Sequence, residues 1–284
     1  MRPQLPDIEA YYNGTDFDYR AIWNRRRSEV AVHFGFYDDH ARHHAAALDN
    51  MNRVLADWVG IAAGERVLDA GCGLGNACFW LARHRGAQVV GLNIVERQIA
   101  DCQKRARQQQ GLGISFVQGD FCKMPFQDQS FDVVWACESV CHTAEKAQFY
   151  MEAFRVLRPG GRLVMAEYMR TTRPVSPAGE QLLTNWLRPW AIPDIDTMEE
   201  HRSHAASVGF REIEMVDATP NVRVSLRNLH NISKRWLPLG RLLHAVRWVS
   251  DVRLGNAQAS VRQYEALLAG AWVYGLLRAR KENF

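Results

Sequence analysis

The chain has 284 residues, 47% of them hydrophobic, with nine tryptophans and a formal net charge of +4; this exceeds one modal domain and is enough for a full α/β core with helical additions. No run of eighteen apolar residues occurs, and Met1-Arg-Pro-Gln-Leu-Pro-Asp7 lacks the apolar stretch of a signal peptide. A soluble, cytoplasmic protein without stable membrane insertion is therefore expected. Cysteines 72, 78, 102, 122, 137 and 141 show no paired Cys-x-x-Cys spacing and read as free thiols, not as disulfides or a metal set.

In chain order, helical periodicity runs to about residue 60. Strand signals follow at 66–70, 88–92, 115–118, 131–136 and 162–168, with helices at 76–84, 96–110 and 144–157 between them. This alternation predicts a parallel sheet with crossover helices. Arg158-Pro-Gly-Gly161 stops the third helix, and Pro174, Pro177, Pro189 and Pro193 mark 171–195 as a loop-rich connection. A helix at 197–208, closed by Gly209, leads to a sixth strand at 211–216. Residues 219–269 hold helix-like segments rich in Trp, Leu and Arg, and 271–278 is the last strand. The expected division is a helical lid (1–60), an α/β core (61–218), a helical substrate cap (219–269) and a final core strand (270–284).

From residue 218 onward, eleven Lys or Arg face three acids. Such an excess suits anionic lipid, nucleic acid or a phosphorylated substrate, and equally a solvated helical surface. No RNA-binding motif accompanies it, so no nucleic-acid partner is expected. Homo-oligomerisation is left open.

The chemistry concentrates in Val67-Leu-Asp-Ala-Gly-Cys-Gly-Leu-Gly75. Glycines 71, 73 and 75 after Asp69 allow a left-handed turn and close approach of backbone to a ligand. A bare strand-to-helix turn would use the same residues. Val89-Val-Gly-Leu-Asn93, Gly119-Asp-Phe121, Phe131-Asp-Val-Val-Trp135 and Leu157-Arg-Pro-Gly-Gly161 follow it. With this ordered set, residues 61–170 resemble the class I S-adenosyl-L-methionine (SAM) dependent methyltransferases. The resemblance implies a Rossmann-like α/β fold whose seven-stranded sheet ends in an antiparallel strand, with SAM at the carboxyl ends of the strands.

Asn93 stands where that family commonly has an acid, and Gln98 follows. With Gly119-Asp-Phe-Cys-Lys-Met124 and Glu138-Ser-Val-Cys-His142, this is similar to the branch containing sterol, tocopherol and prenyl diphosphate C-methyltransferases. The resemblance implies a cofactor site of Asp69, Gly71, Gly73, Gly75, Asn93, Ile94, Gln98, Gly119, Asp120, Phe121 and Glu138. In it, Asn93 meets the ribose, Asp120 the adenine amino group and Phe121 the ring.

SAM carries an activated methyl group, so the protein must align a nucleophile and exclude water. Methylation of an alkene creates a carbocation that needs aromatic faces or carboxylates and then a base. Glu167 is the expected base and Glu138 the cation-stabilising group, with His142 and Tyr37 as further catalytic candidates. A purely structural hydrogen-bonding role is the competing expectation for each carboxylate. Tyr12, Tyr19, Trp23, Trp186 and Trp236 are candidate substrate contacts, and Arg25, Arg26, Arg170, Arg173 and Arg188 are candidate diphosphate ligands. The expected activity is C-methylation of an isoprenoid alkene, geranyl or farnesyl diphosphate in terpene biosynthesis. The alternatives are N- or O-methylation of a small aromatic or amine natural product, and a non-catalytic SAM-fold binding module.

Overall fold

The structure, a computed structural model, describes residues 5–24, 30–109 and 111–282. In β1 (Arg66–Ala70), every residue after the first is buried, the pattern of a strand covered on both faces. It pairs in parallel with β2 (Gln88–Asn93) and β4 (Phe131–Cys137), and β3 (Ile114–Gln118) extends the sheet beyond β2. β5 (Leu157–Arg170) lies beyond β4, β7 (Trp272–Lys281) runs antiparallel to it, and β6 (Phe210–Asp217) forms the edge. Among the described residues the order is β3-β2-β1-β4-β5-β7-β6, a seven-stranded sheet whose last strand is antiparallel, as the resemblance implies. Strand order reverses between β1 and β4, which opens a crevice at their carboxyl ends.

The crossover helices α3 (Asn76–Arg85), α4 (Glu96–Arg107) and α5 (Lys146–Val156) lie within three residues of the expected bounds. Alternate strand residues divide the core into two layers. Trp135 packs with Phe79 and Leu48 on one face, whereas Val134 and Ala136 pack with Phe149 and Tyr150 on the other. β5 begins five residues earlier than expected. Leu157 pairs with Phe131, and after a bulge the ladder resumes at Arg162 with Val133, so the strand carries the Arg158–Gly161 turn within it.

The connection at 171–195 is also more ordered than its prolines suggest. α6 (Pro177–Leu187) starts there because the Ser176 hydroxyl accepts a hydrogen bond from the Gly179 N–H and Pro177 occupies the first turn, where its missing N–H costs nothing. α7 (Met198–Ser207) follows behind a Thr197–Glu200 capping box.

The lid begins with α1 (Leu5–Phe17), which runs into a π-helical turn at Asp18–Trp23, and α2 (His44–Val59) comes before the sheet. α8 (Thr219–Ala245) continues through Pro238 and packs against α9 (Asp251–Leu268). α9 in turn touches α1 and α6, so the N-terminal helix meets the late helical pair. Among the described residues, no helix is long and apolar enough to cross a membrane.

Candidate active site

β1 delivers its glycine turn to the crevice. Gly71 sits at φ +90°, and a Cβ there would lie 2.3 Å from the Ser139 Cβ; any side chain would push the turn off the β4 loop. That loop is itself fixed, because the Ser139 hydroxyl donates to the Ala70 carbonyl at 2.7 Å. A cleft of about 510 Å³ opens beside the turn, lined by Gly71, Gly73, Asn93, Gln98, Asp120 and Phe121, with Ile94 also on its wall. Asn93 Nδ2 donates to Gln98 Oε1 at 2.7 Å, which orients both amides. Asp120 accepts from the Cys122 N–H at 2.7 Å, and Phe121 stands edge-on to Phe149. Bare glycine backbone, an aligned amide pair, a fixed carboxylate and an aromatic ring fit a nucleoside, and the volume falls in the usual range for small-molecule sites. Gly75 and Gly119 do not line the cleft. Gly75 caps α3 against Cys102 and Phe116, and Gly119 packs on Leu92 and Pro125.

Two further voids continue from the cleft. A passage of about 40 Å³ shares Tyr12, Gly71 and Gly73 with it and reaches Asp69, His33 and Glu138. His33, Val32 and Glu138 also line a cavity of about 80 Å³. Aromatic faces of Tyr19, Trp23, Phe34, Tyr168, Trp190 and Trp236 enclose that cavity. Glycine turn, carboxylate and aromatic chamber thus form one line.

Glu138 is the joint of this line. It is a non-glycine residue at φ +51°, a strained conformation that persists only where surroundings enforce it. They do so through its carboxylate: Oε1 accepts from the Phe34 N–H and the Tyr274 hydroxyl, both at 2.7 Å, and Oε2 accepts from the Tyr168 hydroxyl. Burial pushes its pKa from 4.5 up to about 7, partly opposed by His33 and these donors. Burial likewise raises Asp69 to about 7, against the opposing effect of the Cys78 thiol, which donates to it at 3.2 Å.

Glu167, the expected base, is elsewhere. Adjacent strand residues point to opposite faces, so Tyr168 enters the aromatic chamber while Glu167 turns towards α5. It is fully buried, lines none of these voids, and accepts from the backbone N–H groups of Cys141 and Tyr168 at 2.9 Å each. Burial raises it to about 7. It holds the β4 loop in place and does not face an acceptor.

His142 lines the cleft but is engaged at both nitrogens, with Nδ1 3.2 Å from the Ala191 carbonyl and Nε2 2.9 Å from the Tyr12 hydroxyl. Burial lowers its pKa to about 4, so Nδ1–H donates and Nε2 accepts from Tyr12. It latches the lid to the β4 loop. Tyr37 is tied to α8, its N–H donating to the Asn221 carbonyl at 2.9 Å, and lines none of the voids described above.

Of the expected substrate contacts, Tyr19, Trp23 and Trp236 line the chamber and Tyr12 the passage. Trp186 is fully buried, packed 4.8 Å from Trp272. Arg170 is a buried ion-pair centre, 2.6 Å from Glu180 and 3.0 Å from Asp194, and Arg173 lies 2.7 Å from Asp194 and from Glu200. Arg188 is exposed and does not line the chamber, although Trp190 of the same 3-10 turn does. Arg25 and Arg26 lie outside the described residues. The chamber instead contains Arg253, which Asp18 holds at 2.7 Å. Tyr168 and Tyr274 were not expected as site residues. The His-Phe-Gly turn at 33–35, which the resemblance implies closes over SAM and substrate, brings His33 and Phe34 to the chamber where Tyr37 alone of that segment was expected.

The family described as methyltransferase domain matches residues 68–165. Methyltransferase GfsG of Streptomyces halstedii is 40% identical over 165 residues, 57% of each chain. Sterol 24-C-methyltransferase of Eremothecium gossypii is 34% identical over 218 residues, covering 75% of this chain and 56% of that one. The chain spans just over half the length of these two relatives. 27-O-demethylrifamycin SV methyltransferase of Amycolatopsis mediterranei is 30% identical over 197 residues, covering 68% of this chain and 71% of that one. The solved cyclopropane synthase MmaA2 from Mycobacterium tuberculosis shares the fold, with a TM-score of 0.83 at 16% identity over 99% of both chains. Motifs, sheet order and these relatives agree that the chain belongs to the class I SAM-dependent methyltransferase family.

Proposed function

We propose that the chain is a SAM-dependent C-methyltransferase acting on an alkene carbon of an isoprenoid. The observation that carries this is the aromatic chamber with Glu138 at its junction with the cofactor cleft. Bound SAM supplies an electrophilic methyl on a sulfonium. The chain's part is to place the alkene at the passage, surround the resulting carbocation with ring faces, and keep water out. Glu138, hydrogen-bonded by Tyr168 and Tyr274, faces the cation as carboxylate and takes the proton that restores an alkene. Asn93, Gln98, Asp120 and Phe121 hold the nucleoside.

The chamber's one described arginine is neutralised by Asp18, and Arg170 and Arg173 are committed to acids elsewhere. An apolar isoprenoid body therefore fits the chamber better than its diphosphate does. At about 80 Å³ the chamber is smaller than ordinary ligand sites, so the acceptor enters as the lid moves. Among the lid's ties are the Tyr12–His142 hydrogen bond and the Asp18–Arg253 and Arg20–Asp101 pairs.

The test is incubation with SAM and a panel of geranyl, farnesyl and isopentenyl diphosphates, the matching alcohols and a sterol. A product carrying a new carbon-bound methyl supports the assignment, and no methylated hydrocarbon from any of them sinks it. O-methylation is the second reading, favoured by the rifamycin relative. There Glu138 would take a hydroxyl proton, and the new methyl would sit on oxygen.

A further inference from the structure

α8 has two unlike faces. Inward, Leu229, Ile232, Ser233 and Trp236 line the acceptor chamber. Outward, the helix carries Arg223, Arg227, Lys234, Arg235 and Arg241 and no acid in its 27 residues. None of the five has an ion-pair partner among the described residues, and the nearby Asp251 and Asp18 are taken by His244 and Arg253.

The apolar residues are just as unevenly placed. Of eight large hydrophobics exposed among the described residues, four lie between positions 239 and 248: Leu239, Leu242 (64% exposed), Val246 and Trp248 (80%). Arg235, Leu239 and Leu242 recur at i, i+4 and i+7, so one helical stripe passes from basic to apolar towards the turn into α9. Phe17, another of the eight, lies beneath the Arg253 guanidinium at 5.0 Å, beside the first turn of α9.

We propose that the turn joining α8 to α9 docks on an anionic lipid bilayer, from which the chamber beneath α8 collects its isoprenoid. Leu242, Val246 and Trp248 enter the acyl boundary, where an indole ring is favoured. The acid-free basic stripe faces the lipid phosphates. The charge and the apolar tip point to a lipid surface over an acidic protein, because a solvated charge contact has no use for an indole that is four-fifths exposed. The function of this surface rests on the apolar-acceptor reading of the chamber, but its test does not depend on turnover.

The experiment is co-sedimentation of the full chain with vesicles of phosphatidylcholine alone and of phosphatidylcholine with phosphatidylglycerol. The wild-type protein is expected to pellet with the second and not the first, and to be released by salt. Trp248→Ser with Leu242→Ser should weaken binding by about tenfold or more, and Lys234→Ala with Arg241→Ala should weaken it similarly. SAM binding by calorimetry should stay unchanged in both double variants, which shows that they are folded. Wild-type protein that stays in the supernatant with both vesicles overturns the proposal. Binding that survives loss of Trp248 and Leu242 overturns it too, because contact would then be through charge alone, as with an acidic protein. If vesicles bind but no isoprenoid is methylated, the chamber reading fails and the docking surface stands.

Discussion

The cofactor side and the acceptor side of this molecule are built on different principles. The cleft proposed for the cofactor is made from consecutive strand ends, so the strands place its lining: a glycine turn after β1, an amide pair from the end of β2, a carboxylate after β3. The acceptor side is assembled from the π-helical turn, residues 32–34, β5, the 188–190 turn, α8 and α9, which meet only in the folded chain. Glu138 anchors it, where a positive φ and three hydrogen-bond donors coincide. Substrate choice can therefore change in the helices without disturbing the SAM cleft.

The sharpest break between the sides comes from Glu138→Gln, which keeps shape and removes the base. Turnover should fall about a thousandfold while SAM affinity by calorimetry changes little; Glu167→Gln should instead lower the denaturation midpoint more than it lowers turnover. Gly71→Val acts on the other side. Its Cβ would meet Ser139 at 2.3 Å from a left-handed backbone, so SAM affinity should weaken by at least about a hundredfold.

Stability should depend on pH through the same carboxylate. Unfolded, Glu138 ionises near 4.5, but folded it holds its proton to about 7. Between these values the native state binds the proton that the unfolded chain has lost, so stability falls as pH rises through that window, by on the order of 3 kcal/mol for this group. Urea midpoints at pH 5, 6 and 7 should show the decline, and a shallower slope in Glu138→Gln. The slope should not vanish there, because Asp69 and Glu167 titrate in the same range. Trp236→Ala should raise KM for an apolar acceptor about tenfold with SAM affinity intact. Arg173→Ala should be the mildest, costing no more than about 1 kcal/mol in the thermal transition, because its ion pairs are partly exposed.

The two sides also differed in how far the sequence revealed them. β1 to β4 were legible because their motifs are local: Gly71, Gly73, Asn93 and Asp120 line the cleft from where they stand in the chain. Glu138 and Glu167 looked alike, since each stands at or near the carboxyl end of an apolar strand; the pleat that turns Tyr168 inward and Glu167 away depends on the register of β5 with β4 and β7. Ser176-Pro177 carried a helix-start signal that the surrounding prolines masked. The arginines at 170 and 173 suited a diphosphate by residue type, and only the fold showed that Glu180, Asp194 and Glu200 already occupy them.

The central claim, that the aromatic chamber and Glu138 direct methyl transfer to carbon, is tested most directly by NMR of product formed from SAM labelled with ¹³C in its methyl group. The label should appear bonded to carbon in wild-type product and nearly vanish in Glu138→Gln. A label bonded to oxygen or nitrogen, or undiminished in the variant, would contradict it.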